Sequence, residues 1–282
     1  MVFSKGAGRS GPPTGFDAGR YGSVKLEGRV ALVTGGGGGM GGAQCRLFAS
    51  EGAAVCVTDL FLDKAQAVAD EIVAAGGKAV AVKHDVVNAA EWDEAVAATE
   101  KALGPISILC NNAGANFRVG FDEQTEEQYR IIIDSMLMGS FLGIKACVPS
   151  MRKAGGGAII NLGSLASIRP GGGSPGYAVG KMGLVGLTRS AALSYAKENI
   201  RCVIISPGHV DTPFIRGNNT YSPNDASTSI DNPENYERRL KATPLGRFQM
   251  PDDIAKAVLF AVSDDAAMIT GTMITVDGGA SL

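Results

Sequence analysis

From Arg29 onward the chain alternates short apolar runs rich in β-branched residues with longer segments of helical periodicity, and every pair of successive runs is separated by a helical segment. Antiparallel neighbours need only a tight turn between them, whereas parallel strands need a crossover of a dozen or more residues, usually a helix. The pattern therefore predicts a parallel sheet covered on both faces. The strands expected are Val30–Thr34, Ala54–Asp59, Ala79–Val82, Ile106–Cys110, Ala158–Leu162, Arg201–Ser206 and Met273–Val276. The helices expected are Met40–Glu51, Asp63–Ala75, Ala90–Leu103, Thr125–Arg152, Tyr177–Glu198 and Pro251–Ser263. Together they make one Rossmann-type, doubly wound α/β domain over residues 29–282, with about seven parallel strands and helices on both faces. In such a sheet the ligand lies at the carboxyl ends of the strands.

The first of those ends carries Thr34-Gly35-Gly36-Gly37-Gly38-Gly39-Met40-Gly41-Gly42, with an amphipathic pattern directly behind it. Glycines let the backbone turn sharply and approach a pyrophosphate, and the free N–H groups of the following helix start face the anion. Gly35, Gly39, Met40 and Gly41 are the cofactor-binding candidates there; a flexible linker is the plainer reading of so many glycines, and the strand-to-helix context argues against it. The second strand ends at Asp59, whose carboxylate can accept both hydroxyl hydrogens of an adenosine ribose and repels a 2′-phosphate. No arginine or lysine in the glycine loop or directly after Asp59 offsets that repulsion, so NAD is expected rather than NADP. Asp59 can also cap the next helix, and the two roles are compatible.

Tyr177 and Lys181 stand four residues apart, on one face of a helix. A free phenol is a poor base at neutral pH, and a nearby ammonium stabilises its ionised form, so Tyr177 can take the hydroxyl proton of an alcohol as hydride leaves the carbon. The same spacing recurs at Tyr21 and Lys25, ahead of the glycine loop, where it is accidental. Ser164, 13 residues before Tyr177 and just past a strand, distinguishes the productive pair, and its hydroxyl can hold the substrate oxygen.

The ordered set Thr34-Gly-x-x-x-Gly39-x-Gly41, Asp59, Asp85-Val86, Asn111-Asn112-Ala113-Gly114, Ser164, Tyr177-x-x-x-Lys181 and Pro207-Gly208-x-Val210-x-Thr212 closely resembles the classical short-chain dehydrogenase/reductase family over about residues 26–282. The resemblance implies that Asp85 and Val86 contact the adenine and that Asn111 reaches the adenosine ribose. It further implies that Lys181 binds the nicotinamide ribose and that Val210 and Thr212 hold the carboxamide. Without it, Asn111 to Gly114 read as a strand-end turn and Thr212 as a helix cap. One position departs from the family: an asparagine that keeps a helix distortion and a water beside the lysine aligns here with Met136, which cannot hydrogen-bond that way. The water is then held by the main chain or by Ser135; alternatively Met136 lines the substrate pocket or a subunit contact.

Residues 209–247 are rich in Asn, Ser and Asp and look like the family's substrate lid, polar and mobile. Arg118, Arg169 and Arg216 are candidates for a substrate carboxylate, with solvent-facing charge as the alternative. The resemblance implies a homotetramer or homodimer packed through the long helices, with Met136, Met138, Phe141 and Leu142 as its apolar stripe. Residues 1–28, dense in glycine, form a separate arm without a core, either a flexible tail or an ordered arm.

A formal charge of -2 with no basic run argues against nucleic acid, and no apolar stretch is read as bilayer-spanning or as a signal peptide, so the expected location is cytoplasmic, without a membrane partner. Five cysteines without a C-x-x-C pair read as reduced and mostly buried, and His84 and His209 have no metal-ligand spacing. The expected activity is NAD-dependent interconversion of a secondary alcohol and a ketone, with small-molecule substrates. Double-bond reduction, epimerisation or a non-catalytic NAD sensor are the rival readings.

Overall fold

The computed structural model describes residues 24–170 and 173–282, so Tyr21 and most of the glycine-rich arm lie outside the described residues. The strands are β1 (Val30–Thr34), β2 (Ala54–Asp59), β3 (Lys78–Lys83), β4 (Ile108–Asn111), β5 (Gly157–Leu162), β6 (Ile200–Pro207) and β7 (Met273–Val276). All pair in parallel, in the order β3-β2-β1-β4-β5-β6-β7. The chain winds outward one way from β1 through β3 and the other way from β4, so the crevice between β1 and β4 is the switch point where ligands of such sheets bind.

The period of two along each strand sorts the core. Ala31 and Val33 of β1, Val55 and Val57 of β2 and Ile160 of β5 face one layer, with Phe48, Val68, Ile254 and Val258. Leu32, Cys56, Leu109 and Ile159 face the other, with Trp92, Ile144, Met151 and Ala191. The first layer is covered by α1 (Gly39–Ser50), α2 (Leu62–Ala74) and α9 (Pro251–Val262); the second by α3 (Ala89–Leu103), α5 (Gly139–Lys153) and α6 (Pro175–Tyr195). Leu26, read as part of the arm, is buried in the first layer, and its N–H donates to the Glu51 carbonyl oxygen at 2.8 Å. The packed chain thus reaches back past residue 29. All five cysteines are buried and free.

The helix expected over Thr125–Arg152 is not uniform. A Thr125/Gln128 capping box starts α4 (Glu126–Ile133), a π turn follows over Asp134–Met138, and α5 continues from Gly139. The extra residue in the turn sends the Gly139 N–H back to the Asp134 carbonyl oxygen. The combined helix Glu126–Lys153 also corrects the reading of membrane segments: by length and composition alone it is long and apolar enough to cross a bilayer. In the fold 44% of its most apolar window is buried.

The lid segment holds two helices that its composition did not announce, α7 (Pro213–Arg216) and α8 (Pro233–Lys241). Its polar residues act as internal latches. Asn224 donates to the Phe214 and Gly217 carbonyl oxygens, Asn235 to those of Ala226 and Ser229, and Ser229 to that of Arg216.

Candidate active site

The carboxyl ends of the strands open onto a cleft of about 1200 Å³. Its floor comes from the glycine loop after β1, and its walls from Asp59, Asp85 and Val86 on one side of the switch point and Ser164, Tyr177, Lys181, Val210 and Thr212 on the other. Gly35, Gly39 and Met40 line it as well.

Gly35 and Gly39 take φ of 61° and 53°, a region that favours glycine. Gly41 contributes differently: it does not line the cleft, and a Cβ there would lie 2.2 Å from the Gly35 carbonyl oxygen. Its missing side chain lets α1 start against the loop. Asn112 straps the loop down, its amide donating to the carbonyl oxygens of Thr34 at 3.0 Å and Gly35 at 3.2 Å, while Thr34 Oγ1 accepts from the N–H groups of Asn112 and Ala113. Asn111, the residue carried over as a ribose contact, does not line the cleft. It is buried at the end of β4, its amide donating to Asn161 Oδ1 on β5 at 2.8 Å, because the alternation of the strand puts it on the face of Leu109, against Gly143 of α5.

At the end of β2 the Asp59 carboxylate accepts the Gly37 N–H at 3.1 Å and the Phe61 N–H at 3.0 Å, so it braces the glycine loop while facing the cleft. The Asp85 carboxylate accepts the Val87 N–H, and Trp92 Nε1 donates to the Val86 carbonyl oxygen at 2.9 Å. His84, buried in the same wall, shares a hydrogen bond with Thr58 Oγ1 and stacks edge-on with Trp92. Burial pushes it down to about 4, and its Nε2 has no partner among the described residues. A glycine cradle at a helix start, an acidic strand end and an unpartnered buried ring nitrogen fit the phosphates, ribose and base of a dinucleotide.

Ser174 caps α6 and Pro175 is its first residue, which places Tyr177 in the opening turn and Lys181 one turn on. Lys181 is buried, and its Nζ donates to the Leu162 carbonyl oxygen at 2.5 Å, 5.5 Å from the centre of the Tyr177 ring. Burial pushes its ammonium down to about 7. Burial also pushes the Tyr177 phenol up, opposed by a hydrogen bond with Ser164 and by the Arg118 charge. Ser164 is held by the turn that follows it: Oγ accepts the Ala166 N–H, its own N–H donates to Ser167 Oγ, and Ser167 Oγ donates to the Lys181 carbonyl oxygen. The arrangement can bind an alcohol oxygen between a hydroxyl and a phenol and move its proton.

Met136 lies inside the π turn and is buried. A Cβ on Gly114 would meet its Cγ at 2.7 Å, and one on Gly180 its Cε at 2.9 Å, so the two glycines make its room between the β4 loop and α6. It lines the cleft and does not join the exposed stripe, which keeps Met138 and Phe141. The distortion persists without an asparagine: Ser140 Oγ donates to the Met136 carbonyl oxygen at 2.6 Å, while Ser135 Oγ donates to that of Ile132.

The three arginine candidates separate. Arg216 is committed to Asp211 and Asp231 and does not line the cleft. Arg118 lines it and is braced on the lid, donating to Ser222 Oγ at 2.9 Å and the Phe214 carbonyl oxygen at 2.8 Å. Arg169 lines it and donates to the Ala280 carbonyl oxygen. Sequence reasoning missed Asn116 and Arg239, which share this end of the cleft; Asn116 is buried with Oδ1 unpartnered among the described residues. No local signal marks either: Arg239 is brought in only by the folding of the lid.

A family model described as enoyl-(acyl carrier protein) reductase matches residues 36–281. The chain is 37% identical over 258 residues to 2,5-dichloro-2,5-cyclohexadiene-1,4-diol dehydrogenase LinX of Sphingobium indicum, covering 92% of this chain and 98% of that one. It is 38% identical over 260 residues to cyclohexanol dehydrogenase of an Acinetobacter species, covering 91% and 96%. Among solved structures it superposes with 7α-hydroxysteroid dehydrogenase complexed with NADH and 7-oxo glycochenodeoxycholic acid, at a TM-score of 0.82 and 31% identity over 91% of this chain and 96% of that one.

Proposed function

The chain belongs to the short-chain dehydrogenase/reductase family of oxidoreductases, and from that premise we propose that it is an NAD-dependent dehydrogenase interconverting a cyclic secondary alcohol and its ketone. The observation that carries the reading is Ser164, Tyr177 and Lys181 gathered at one end of a cleft whose other end is Asp59 and the glycine loop. Relatives that act on ring alcohols support the substrate class.

Gly35, Gly39 and Met40 would hold the pyrophosphate, Asp59 the adenosine ribose, Asp85 and Val86 the adenine, Lys181 the second ribose, and Val210 and Thr212 the carboxamide. A bound nicotinamide would supply the hydride acceptor for oxidation and the donor for reduction. In the oxidative direction the Ser164 hydroxyl donates to the substrate oxygen and the Tyr177 phenolate takes its proton as the carbon loses hydride. The Lys181 ammonium favours the phenolate over the phenol. In reduction Tyr177 returns the proton. Asp59 sets the cofactor choice, since its carboxylate suits ribose hydroxyls and repels a 2′-phosphate.

The same reading includes a dimer or tetramer packed through α4, α5 and α6, where Met138, Phe141, Val179 and Met182 are exposed. A second activity, reduction of an activated carbon–carbon double bond, is favoured only by the description of the matching family model. One assay separates the two: cyclic secondary alcohols, ketones and an enoyl thioester are offered with NAD(H) and NADP(H), and nicotinamide absorbance is followed. Turnover of ring alcohols with NAD supports the proposal; turnover of the enoyl thioester alone replaces it with the second reading.

A further inference from the structure

Resting on the dehydrogenase reading, we propose that the substrate carries an anionic substituent, a carboxylate or sulfonate, held between Arg118 and Arg239 beneath the lid. Both residues line the cleft, and both are half-buried. The ion pairs formed among the described residues leave both out. Arg118 is fixed by Ser222 and the Phe214 carbonyl oxygen and lies over the Phe214 ring at 5.1 Å. Arg239, on α8, spends one N–H on the Thr228 carbonyl oxygen at 2.9 Å. A guanidinium has five N–H donors, so each keeps donors for a ligand.

Two like charges drawn out of water into one cleft destabilise each other unless an anion joins them. Burial pushes Arg118 down to about 10, opposed by the Tyr177 phenol, and the Arg239 charge adds to the downward push on Arg118 and on His209. The acidic groups of the cleft do not answer this charge. Asp59 and Asp85 close β2 and follow β3, across the switch point from β5, and Asp134 belongs to the π turn. Neither arginine follows β1, whose glycine loop would hold the cofactor phosphates: Arg118 follows β4 and reaches the lid through Ser222 and Phe214, and Arg239 lies on α8. Carboxylates and sulfonates match the planar fork of arginine, and charge-assisted hydrogen bonds made inside a cleft are the strong ones.

Because Arg118 also acts on the Tyr177 phenol, turnover alone does not isolate an anion site. The test is calorimetric binding of cyclohexanecarboxylate, cyclohexanesulfonate and neutral cyclohexanecarboxamide to the full chain saturated with NADH, together with NADH affinity and a thermal melt of each variant. We expect one or both anions to bind about 10-fold or more tighter than the carboxamide. Arg239→Gln brings the ratio to about one, and Arg239→Lys keeps an intermediate value because the charge remains without the fork. Arg118→Gln should do as Arg239→Gln does; should its lid unravel in the melt, the Arg239 pair decides. Equal binding of anions and carboxamide overturns the proposal. So does a loss of NADH affinity in Arg239→Gln with the anion preference intact, which would assign the arginine to the cofactor. Anion preference without oxidation of any cyclic secondary alcohol leaves the anion site standing and overturns the dehydrogenase reading instead.

Discussion

The ammonium of Lys181 sits 5.5 Å from the centre of the Tyr177 ring and bonds to the Leu162 carbonyl oxygen, the strand end that carries Ser164 two residues later. Both titrating groups are buried, and burial disfavours both charged forms, pushing the lysine down to about 7 and the phenol up. The phenolate–ammonium form that the proposed alcohol oxidation uses therefore has to be held against burial of both charges, which the proximity of the two groups favours.

Alcohol oxidation should rise with pH as the Tyr177 phenol ionises. In Lys181→Met the rise moves to higher pH, because the phenol must then ionise alone against its own burial. The pH profile of kcat/KM at saturating NAD checks this, and an unmoved profile in the variant would remove Lys181 from the proton step.

The same burial has a cost in stability. Folded Lys181 releases its proton near 7 where the unfolded chain keeps it to 10.5, so the unfolded state binds more protons between those values and stability rises with pH across that window. Below 7 the charged amine is buried and the penalty is complete. Lys181→Met should accordingly raise the melting temperature, more just below pH 7 than well above it; a lower melting temperature throughout would show that the Leu162 contact outweighs desolvation.

Asp59 has two jobs that a pair of substitutions separates. Asp59→Asn keeps an oxygen for the Gly37 N–H but removes the charge, and should shift the NAD-to-NADP ratio of kcat/KM toward NADP by about 10- to 100-fold. Asp59→Ala also frees the Gly37 N–H and should weaken both cofactors in addition. An unchanged ratio in both variants would remove Asp59 from cofactor choice.

Met136 shapes the cleft and leaves the proton alone. Met136→Leu should cost less than about 1.5 kcal/mol and leave the pH profile where it was, since the π turn is tied by Ser140 and the main chain. Met136→Asn buries an amide among Ala115, Ile132 and Phe117 and should destabilise by about 1–3 kcal/mol in a denaturant titration. A shifted pH profile in Met136→Leu would show that the side chain tunes Lys181 after all.

The parts of this molecule that were legible in the sequence are those where one physical requirement acts alone. Val30–Thr34 and Ala54–Asp59 read as strands because both faces of a parallel strand are buried, and the glycine loop read as a cradle from its place between strand and helix. The π turn at Met136 was legible only through the resemblance, since one added residue changes the hydrogen-bond pattern and leaves the composition as it was. Helix α8 carries a local signal inside a stretch whose polarity reads as loop: Asn232-Pro233-Glu234 places a capping side chain, a proline at the first helical position and an acid in the first turn. Asn111 and Asn112 are adjacent, and only the strand's alternation tells the one that braces the sheet from the one that straps the glycine loop. Arg118 and Arg239 lie 121 residues apart, and the folded lid alone brings them to one cleft.

The proposed proton transfer by Tyr177 is read from single-turnover formation of NADH from a cyclic secondary alcohol, in the wild type and in Tyr177→Phe. The variant should bind NADH as the wild type does and form it about 10²- to 10⁴-fold more slowly. A variant that keeps both its cofactor affinity and a rate within about 10-fold of the wild type would contradict proton transfer by Tyr177.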